Sequence, residues 1–354
     1  MYILDRYLMK QVVQGIVIST LVLLPLFSFL DLVDQLDDVG TGFYRTSDAF
    51  LYVVMTLPRR FIQLTPFIAL LGNVTALGRL AINHELISLR SAGYSPVQIS
   101  MASMKVGLLL LMLVITLEIF VAPPLQQKAI AHRAAAMEQS TELGLNLGIW
   151  TRNDRQILRI GNLQHDTRLA SVEIINLDEQ GEMSEYIHAE GFEIVSNEEW
   201  ILHKVTRKTY SEDNIRSTTM ERLPWHTFLN PAQISTLTKP QESLSPAELF
   251  RYVQHLQSTG QEVDVYQLAL WKKLGGPLTM LGMLLLSVPF VFGSVRTGFA
   301  NRLVMAGVTG ITVYLLDQIF SNAGLILNLN PSFIALTPGI LLIWIARVWL
   351  RRVP

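Results

Sequence analysis

Val12-Val13-Gln14-Gly15-Ile16-Val17-Ile18-Ser19-Thr20-Leu21-Val22-Leu23-Leu24-Pro25-Leu26-Phe27-Ser28-Phe29-Leu30 is a run without a single charged side chain. A helix that crosses a bilayer needs about 20 mostly apolar residues, so this stretch reads as a membrane span. It is too long for the apolar core of a secretory signal. Asp31, Asp34, Asp37 and Asp38 follow it where small residues would mark a cleavage site, and the span is expected to persist in the mature protein.

Five more stretches have the same character. Ala49 to Gly78 contains Pro58, Arg59 and Arg60, so its firmly spanning part is expected from Phe61 to Gly78, with Pro58 breaking or kinking the entry. Val106 to Ala122 carries one charge, Glu118, and Pro123 with Pro124 is expected to close it. Leu274 to Phe292, Leu303 to Phe320 and Phe333 to Leu350 complete the set. The expected fold is therefore an α-helical membrane protein of six transmembrane helices in a three-plus-three arrangement, with a β domain between the halves. Three parts follow: residues 1–125 with spans one to three, 126–266 as the outer domain with a connecting helix, and 267–354 with spans four to six.

Composition agrees with a bilayer. Of 354 residues, 50% are hydrophobic and 16% charged, against about 25% charged in an ordinary soluble domain. The net charge of -1 removes the basic excess of a general nucleic-acid binder, and no nucleic acid is expected as a partner. The absence of cysteine excludes disulfides, thiolate metal sites and thiol nucleophiles. Arg6, Lys10, Arg79, Arg90, Lys105, Arg296, Arg302, Arg347, Arg351 and Arg352 gather on one side of the spans. Arg45, Arg59 and Arg60 lie in the opposite short loop. Positive residues favour the cytoplasm, so both termini are expected there and residues 126–266 outside.

The outer interval alternates apolar and polar residues over Gln156 to Ile160, Leu169 to Leu177, Tyr186 to Val195, Trp200 to Tyr210 and Arg216 to Leu223. Turn signals at Asp178-Glu179-Gln180-Gly181 and Ser196-Asn197-Glu198 separate them, as expected of an antiparallel all-β domain. Ser245-Pro246-Ala247-Glu248 has the form of a capping box and opens a helix to Gln257.

No GxxxxGK[ST] phosphate loop exists, and none of the seven histidines has HExxH spacing. Gly93-Tyr94-Ser95-Pro96-Val97 fails the GxSxG elbow at its last position. No catalytic residue, metal ligand or cofactor is assigned to the chain. The most informative short loop is Asn83 to Pro96, between spans two and three. Glu85, Leu86, Leu89 and Arg90 have the spacing of a short amphipathic helix, with Gly93 as its C-cap and Pro96 preventing continuation. It reads either as an interfacial connector or as a coupling helix that docks in a groove on a cytoplasmic motor, with Glu85 meeting basic groups.

Glu85-Leu86-Ile87-Ser88-Leu89-Arg90-Ser91-Ala92-Gly93-Tyr94-Ser95 in that position resembles the LptF/LptG permease family of the lipopolysaccharide export ABC transporter. Further resemblance lies in Leu4-Asp5-Arg6-Tyr7, Val33-Asp34-Gln35-Leu36, Gly260-Gln261, Tyr266-Gln267-Leu268 with Trp271-Lys272-Lys273, and Leu316-Asp317-Gln318-Ile319-Phe320. It covers essentially the whole chain and favours the LptG branch over the LptF paralogue. An ABC permease for another lipid or for lipoproteins would share the coupling helix.

The resemblance implies a multi-pass protein of a Gram-negative inner membrane with a periplasmic β-jellyroll. It further implies an LptF-like permease, an LptB-like ATPase dimer that binds ATP and Mg, and an LptC-like single-span protein as partners. Lipopolysaccharide would be taken from the outer leaflet and passed to a periplasmic bridge. Its phosphates call for cations, and the candidates are Arg59, Arg60, Lys128, Arg133, Lys272 and Lys273, with Arg59 and Arg133 foremost by resemblance. Each alone reads equally as a side chain snorkelling to headgroups. Phe27, Leu64, Phe67, Leu70, Ile311, Leu315 and Ile319 are expected to line the acyl-chain cavity. Asp31, Asp37 and Asp38 depart from the family's basic positions and are expected to form a solvated flank. Asp317 is expected to hydrogen-bond and fix its span.

Overall fold

A computed structural model describes residues 2–137, 149–153, 155–161, 171–178, 182–196, 199–211, 214–227, 243–258, 263–292 and 298–351. Leu169, Glu179 to Gly181, Asn197, Glu198, Gly260, Gln261, Arg296 and Arg352, named above, lie outside these residues. The chain divides into two compact units, Met1–Ser140 with Asp264–Pro354, and Thr141–Val263. The helical unit thus reaches past the expected boundary at 125, because its third long helix does not stop at the prolines.

The helical unit contains α1 (Tyr2–Leu36), α2 (Thr46–Ile82), α3 (Glu85–Ser91), α4 (Pro96–Thr116), a π-helical turn (Leu117–Val121), α5 (Ala122–Met137), α7 (Asp264–Phe292), α8 (Phe299–Ile326) and α9 (Pro331–Arg351). Among the described residues six helical runs are long and apolar enough to cross a membrane, α4, the π turn and α5 forming one of them. Three prolines expected to break, kink or close helices leave them continuous. α2 runs through Pro58. Pro123 and Pro124 lack the N–H groups an α-helix needs, and the wider π turn before them absorbs the loss, the Ala122 N–H donating to the Leu117 carbonyl. The helix then continues to Met137.

Close packing in this unit depends on small residues. A Cβ added to Gly15 would lie 2.2 Å from the Gly72 carbonyl oxygen, and one added to Gly72 would lie 2.7 Å from the Ile16 Cα. α1 and α2 therefore touch backbone to backbone, a contact favoured in lipid, where solvophobic force between helices is weak. Gly275, Gly282 and Gly339 do the same between α7 and α9. Asn73, fully buried on α2, donates to the Ser287 Oγ at 2.6 Å and accepts from the Ser103 Oγ at 2.9 Å. This polar knot fixes α2, α4 and α7 in rotation where apolar surface alone would not. Gly15→Val is expected to force α1 off α2 and cost about 1–3 kcal/mol by overpacking. Thermal unfolding in detergent, compared with an exposed Leu21→Val control, would read it.

The second unit holds β1 (Ile149–Asn153), β2 (Gln156–Ile160), β3 (Val172–Leu177), β4 (Met183–Ile194), β5 (Glu199–Ser211), β6 (Asn214–His226) and α6 (Pro246–Ser258). The strands form one antiparallel sheet in sequential order. The described residues thus make an up-and-down meander, without the crossover that a jellyroll adds. Its core packs Leu158, Ile174, Ile187 and Leu202 around Trp200, which stacks on Phe192 at 4.6 Å and meets Trp225 edge-on at 5.6 Å.

Ile187 and Ala189 face this core at odd positions of β4, but Phe192 faces it at an even one, and β5 shifts likewise between Leu202 and Val205. The period-two phase slips where Lys204 adopts a left-handed φ of 49° and the register omits Glu190 and Lys204. There the Lys204 ammonium donates to Glu190 at 2.7 Å, which holds that carboxyl below its ordinary range. α6 begins as expected: the Ser245 N–H donates to Glu248 at 2.8 Å and the Glu248 N–H to the Ser245 Oγ at 3.2 Å.

Candidate functional site

Two groups of side chains stand out in the helical unit. The first is a band of ion pairs that stitches the spans together. Glu118, held on the π turn, is buried and receives Arg59 of α2 at 3.1 and 3.2 Å. Lys273 of α7 also donates to Glu118, and its side chain is only 6% exposed. One carboxylate therefore neutralises one of two cations brought from two other helices, and the trio keeps a single positive charge. Such pairing is what makes three ionised groups tolerable away from water.

The other cations are paired too. Arg60 forms a two-pronged bond with Asp31 of α1. Arg133 of α5 pairs with Asp38 and lies over the Tyr52 ring, 5.8 Å from its centre. Lys272 of α7 stands 3.5 Å from Asp317 of α8. Only Lys128 of the six expected phosphate ligands is exposed without an ion-pair partner among the described residues. The expected solvated flank is corrected by this pattern: Asp31 and Asp38 are counter-ions, since an arginine fork a few ångströms away outcompetes water for a fixed carboxylate. Asp317 does tie its span, through Lys272. Arg59 and Arg133 each retain a buried Nε–H with no hydrogen-bond partner among the described residues.

The apolar candidates divide. Phe27 on α1 and Ile311, Leu315 and Ile319 on α8 present exposed side chains, the last three along one helical stripe that also carries Val304 and Val308. Phe67 is half-buried against Tyr314. Leu64 and Leu70 cannot line an open cavity: they are 5% and 0% exposed, packed in the helical unit's own cores. They lie on the face of α2 turned to its neighbours, which composition does not reveal because core and lipid are equally apolar.

The second group is α3. It is a seven-residue helix, entered through His84 in the left-handed region at φ 58° and left through Gly93 at φ 91°. Leu86, 4% exposed, is buried in the same core cluster as Leu8, Leu77 and Ile99, and Leu89 packs against that cluster. These two residues fasten the helix to its own bundle, so they are corrected as contacts to a motor. The exposed face consists of Ile87, 57% exposed, with Ser88, Arg90 and Ser91. Glu85 is partly engaged already: its carboxylate accepts from the Tyr7 hydroxyl at 2.7 Å and from the Asn83 amide at 3.3 Å. α4 then starts with a capping box in which Ser95 and Gln98 exchange hydrogen bonds, with Pro96 in the first turn.

The reading of the sequence missed Ile87, Tyr7 and the π turn. Ile87 breaks the amphipathic pattern of its helix, which was the available signal. The two prolines following Glu118 were the signal for the π turn.

Residues 6–352 match the family described as lipopolysaccharide export system permease LptF/LptG. The lipopolysaccharide export system permease protein LptG of Haemophilus influenzae is 29% identical over 348 residues, covering 98% of this chain and 97% of that protein. The protein of the same name from Escherichia coli K12 is 28% identical over 340 residues, covering 95% and 94%. A correspondence that runs through both helical halves and the sheet between them leaves no part of the architecture unaccounted for, and the chain belongs to the LptF/LptG family of lipopolysaccharide export system permeases.

Proposed function

We propose that this chain is the LptG-type, membrane-spanning subunit of an inner-membrane ABC transporter that lifts lipopolysaccharide from the outer leaflet towards a periplasmic bridge. The observation that carries this is the family correspondence from residue 6 to 352, unbroken across spans and sheet. ATP and Mg are bound and turned over on a separate LptB-like ATPase dimer, which docks on the exposed face of α3 from the cytoplasm. An LptF-like permease completes the lipid cavity, and an LptC-like single-span protein joins the assembly.

The exposed stripe of α8 with Phe27 of α1 suits acyl chains. Arg59 and Arg133 contribute guanidinium charge for the phosphorylated head, and Lys128 contributes an exposed ammonium.

Copurification with an ATPase, followed by release of lipopolysaccharide from proteoliposomes, tests the proposal. In that assay Arg133→Glu should lower release about tenfold or more, as expected when a charge-assisted contact is reversed. Lys128→Glu should lower release with assembly and thermal stability unchanged, since it breaks no ion pair. Wild-type release in both variants and in the double variant would return these cations to the role of headgroup anchors.

A further inference from the structure

We infer that Tyr7 is a positioning residue that fixes the Glu85 carboxylate and makes the first turns of α1 the receiver of motion entering through the coupling helix. The inference rests on the docking role of α3 proposed above.

α3 is attached to the bundle by two kinds of link, covalent and tertiary. Its covalent links to α2 and α4 pass through His84 and Gly93, both in the left-handed region, and a Cβ built on Gly93 meets nothing within 4 Å. Neither junction continues the helical hydrogen-bond ladder across it, so each acts as a joint where a few torsions absorb a change of direction. Force applied to α3 is passed poorly to α2 and α4 through such joints. The tertiary attachments are different. Leu86 is buried in one cluster with Leu8 of α1, Leu77 and Leu80 of α2 and Ile99 of α4, and Leu4 packs on that cluster, so the first turns of α1 share this apolar anchor with α2 and α4.

Beside them the Tyr7 hydroxyl donates to the Glu85 Oε2 at 2.7 Å, while Asn83 donates to the Oε1 at 3.3 Å. Tyr7 reaches 78 positions along the chain to do so. With both oxygens held, the carboxylate has one direction to present to a basic groove, and through the shorter of its two bonds, the one from Tyr7, the load it takes reaches α1. The neighbouring pair of Lys105 with Asp5, at 2.6 Å, holds the same part of α1 to α4 through exposed groups only. It provides a control of similar position and different expected weight.

The test uses the complete transporter with its cognate partners in proteoliposomes containing lipopolysaccharide, measuring ATP hydrolysed and lipid released together. Tyr7→Phe removes one hydroxyl and should leave the complex assembled while lipid released per ATP falls about three- to tenfold, the range for one typical net hydrogen bond. Lys105→Met should change that ratio by less than about twofold, as exposed ion pairs usually do.

The Tyr7→Phe/Glu85→Gln double variant should match Glu85→Gln alone, since both changes interrupt one contact. Independent, multiplying effects would overturn the inference, as would a wild-type ratio in Tyr7→Phe or equal losses in Tyr7→Phe and Lys105→Met. If Glu85→Gln reduces the ratio while Tyr7→Phe does not, the inference alone fails. If both are silent, the docking role of Glu85 fails with it.

Discussion

Glu118→Ala is expected to be the most damaging single substitution in the helical unit. It removes the carboxylate that Arg59 and Lys273 share, and removing one partner from a buried ion pair costs about 3–5 kcal/mol. The variant should unfold at markedly lower temperature in detergent and fail to assemble with its partners. A triple variant, Arg59→Met with Glu118→Leu and Lys273→Met, replaces every charge of the trio by apolar volume and should recover most of the stability, because well-packed apolar groups substitute for a buried ionic set at little net cost. Stability and function then separate. A stable triple variant that releases no lipid assigns the trio to substrate handling. A stable and active one makes it a structural tie only. Unchanged thermal unfolding in Glu118→Ala itself would show that the carboxylate is not the counter-ion described here.

Ile87→Asp should have the largest effect at the other end of the molecule. Ile87 is the principal apolar side chain on the exposed face of α3. Burying such a group in a partner's groove is worth about 1.5–3 kcal/mol, so placing a charge there should weaken association with the ATPase about tenfold or more. Fold and bundle stability should be untouched, since Ile87 contributes to none of the core clusters. Leu86→Asp should do the opposite, lowering stability first. Equal ATPase affinity for wild type and Ile87→Asp, measured by titration in detergent, would show that the motor docks elsewhere.

The spans were legible because each is a long run of one chemistry, and the capping box at Ser245 was legible because its partner is three residues away. What the sequence hid is tertiary. Asp31 and Arg60 are 29 positions apart and Lys273 is 155 from Glu118. Nothing local announces that the acids after the first span neutralise the very cations expected to bind phosphate. Helix faces were hidden for another reason: Leu70 and Ile311 have similar hydropathy, yet one is sealed in the bundle and the other exposed. In an aqueous protein polar residues mark the outer face, but here lipid erases that contrast. The first strand escaped notice too, since Ile149 to Asn153 is short and alternates weakly before the better pattern of β2.

The backbone contact at Gly15 and Gly72 has a mechanical meaning. Two helices held backbone to backbone at such a point cannot part or interpenetrate there, and α1 and α2 are joined further by Val12 and Ile16 packed with Leu64 and Ile68 and by Asp31 with Arg60. α1 runs unbroken from Tyr2 through Pro25 to Leu36. Tyr7 and Asp31 are 24 residues apart on this single rod, about 36 Å at 1.5 Å per residue. A rod clamped to its neighbour at several points moves with it as one body, so a displacement at either end of α1 carries α2 along.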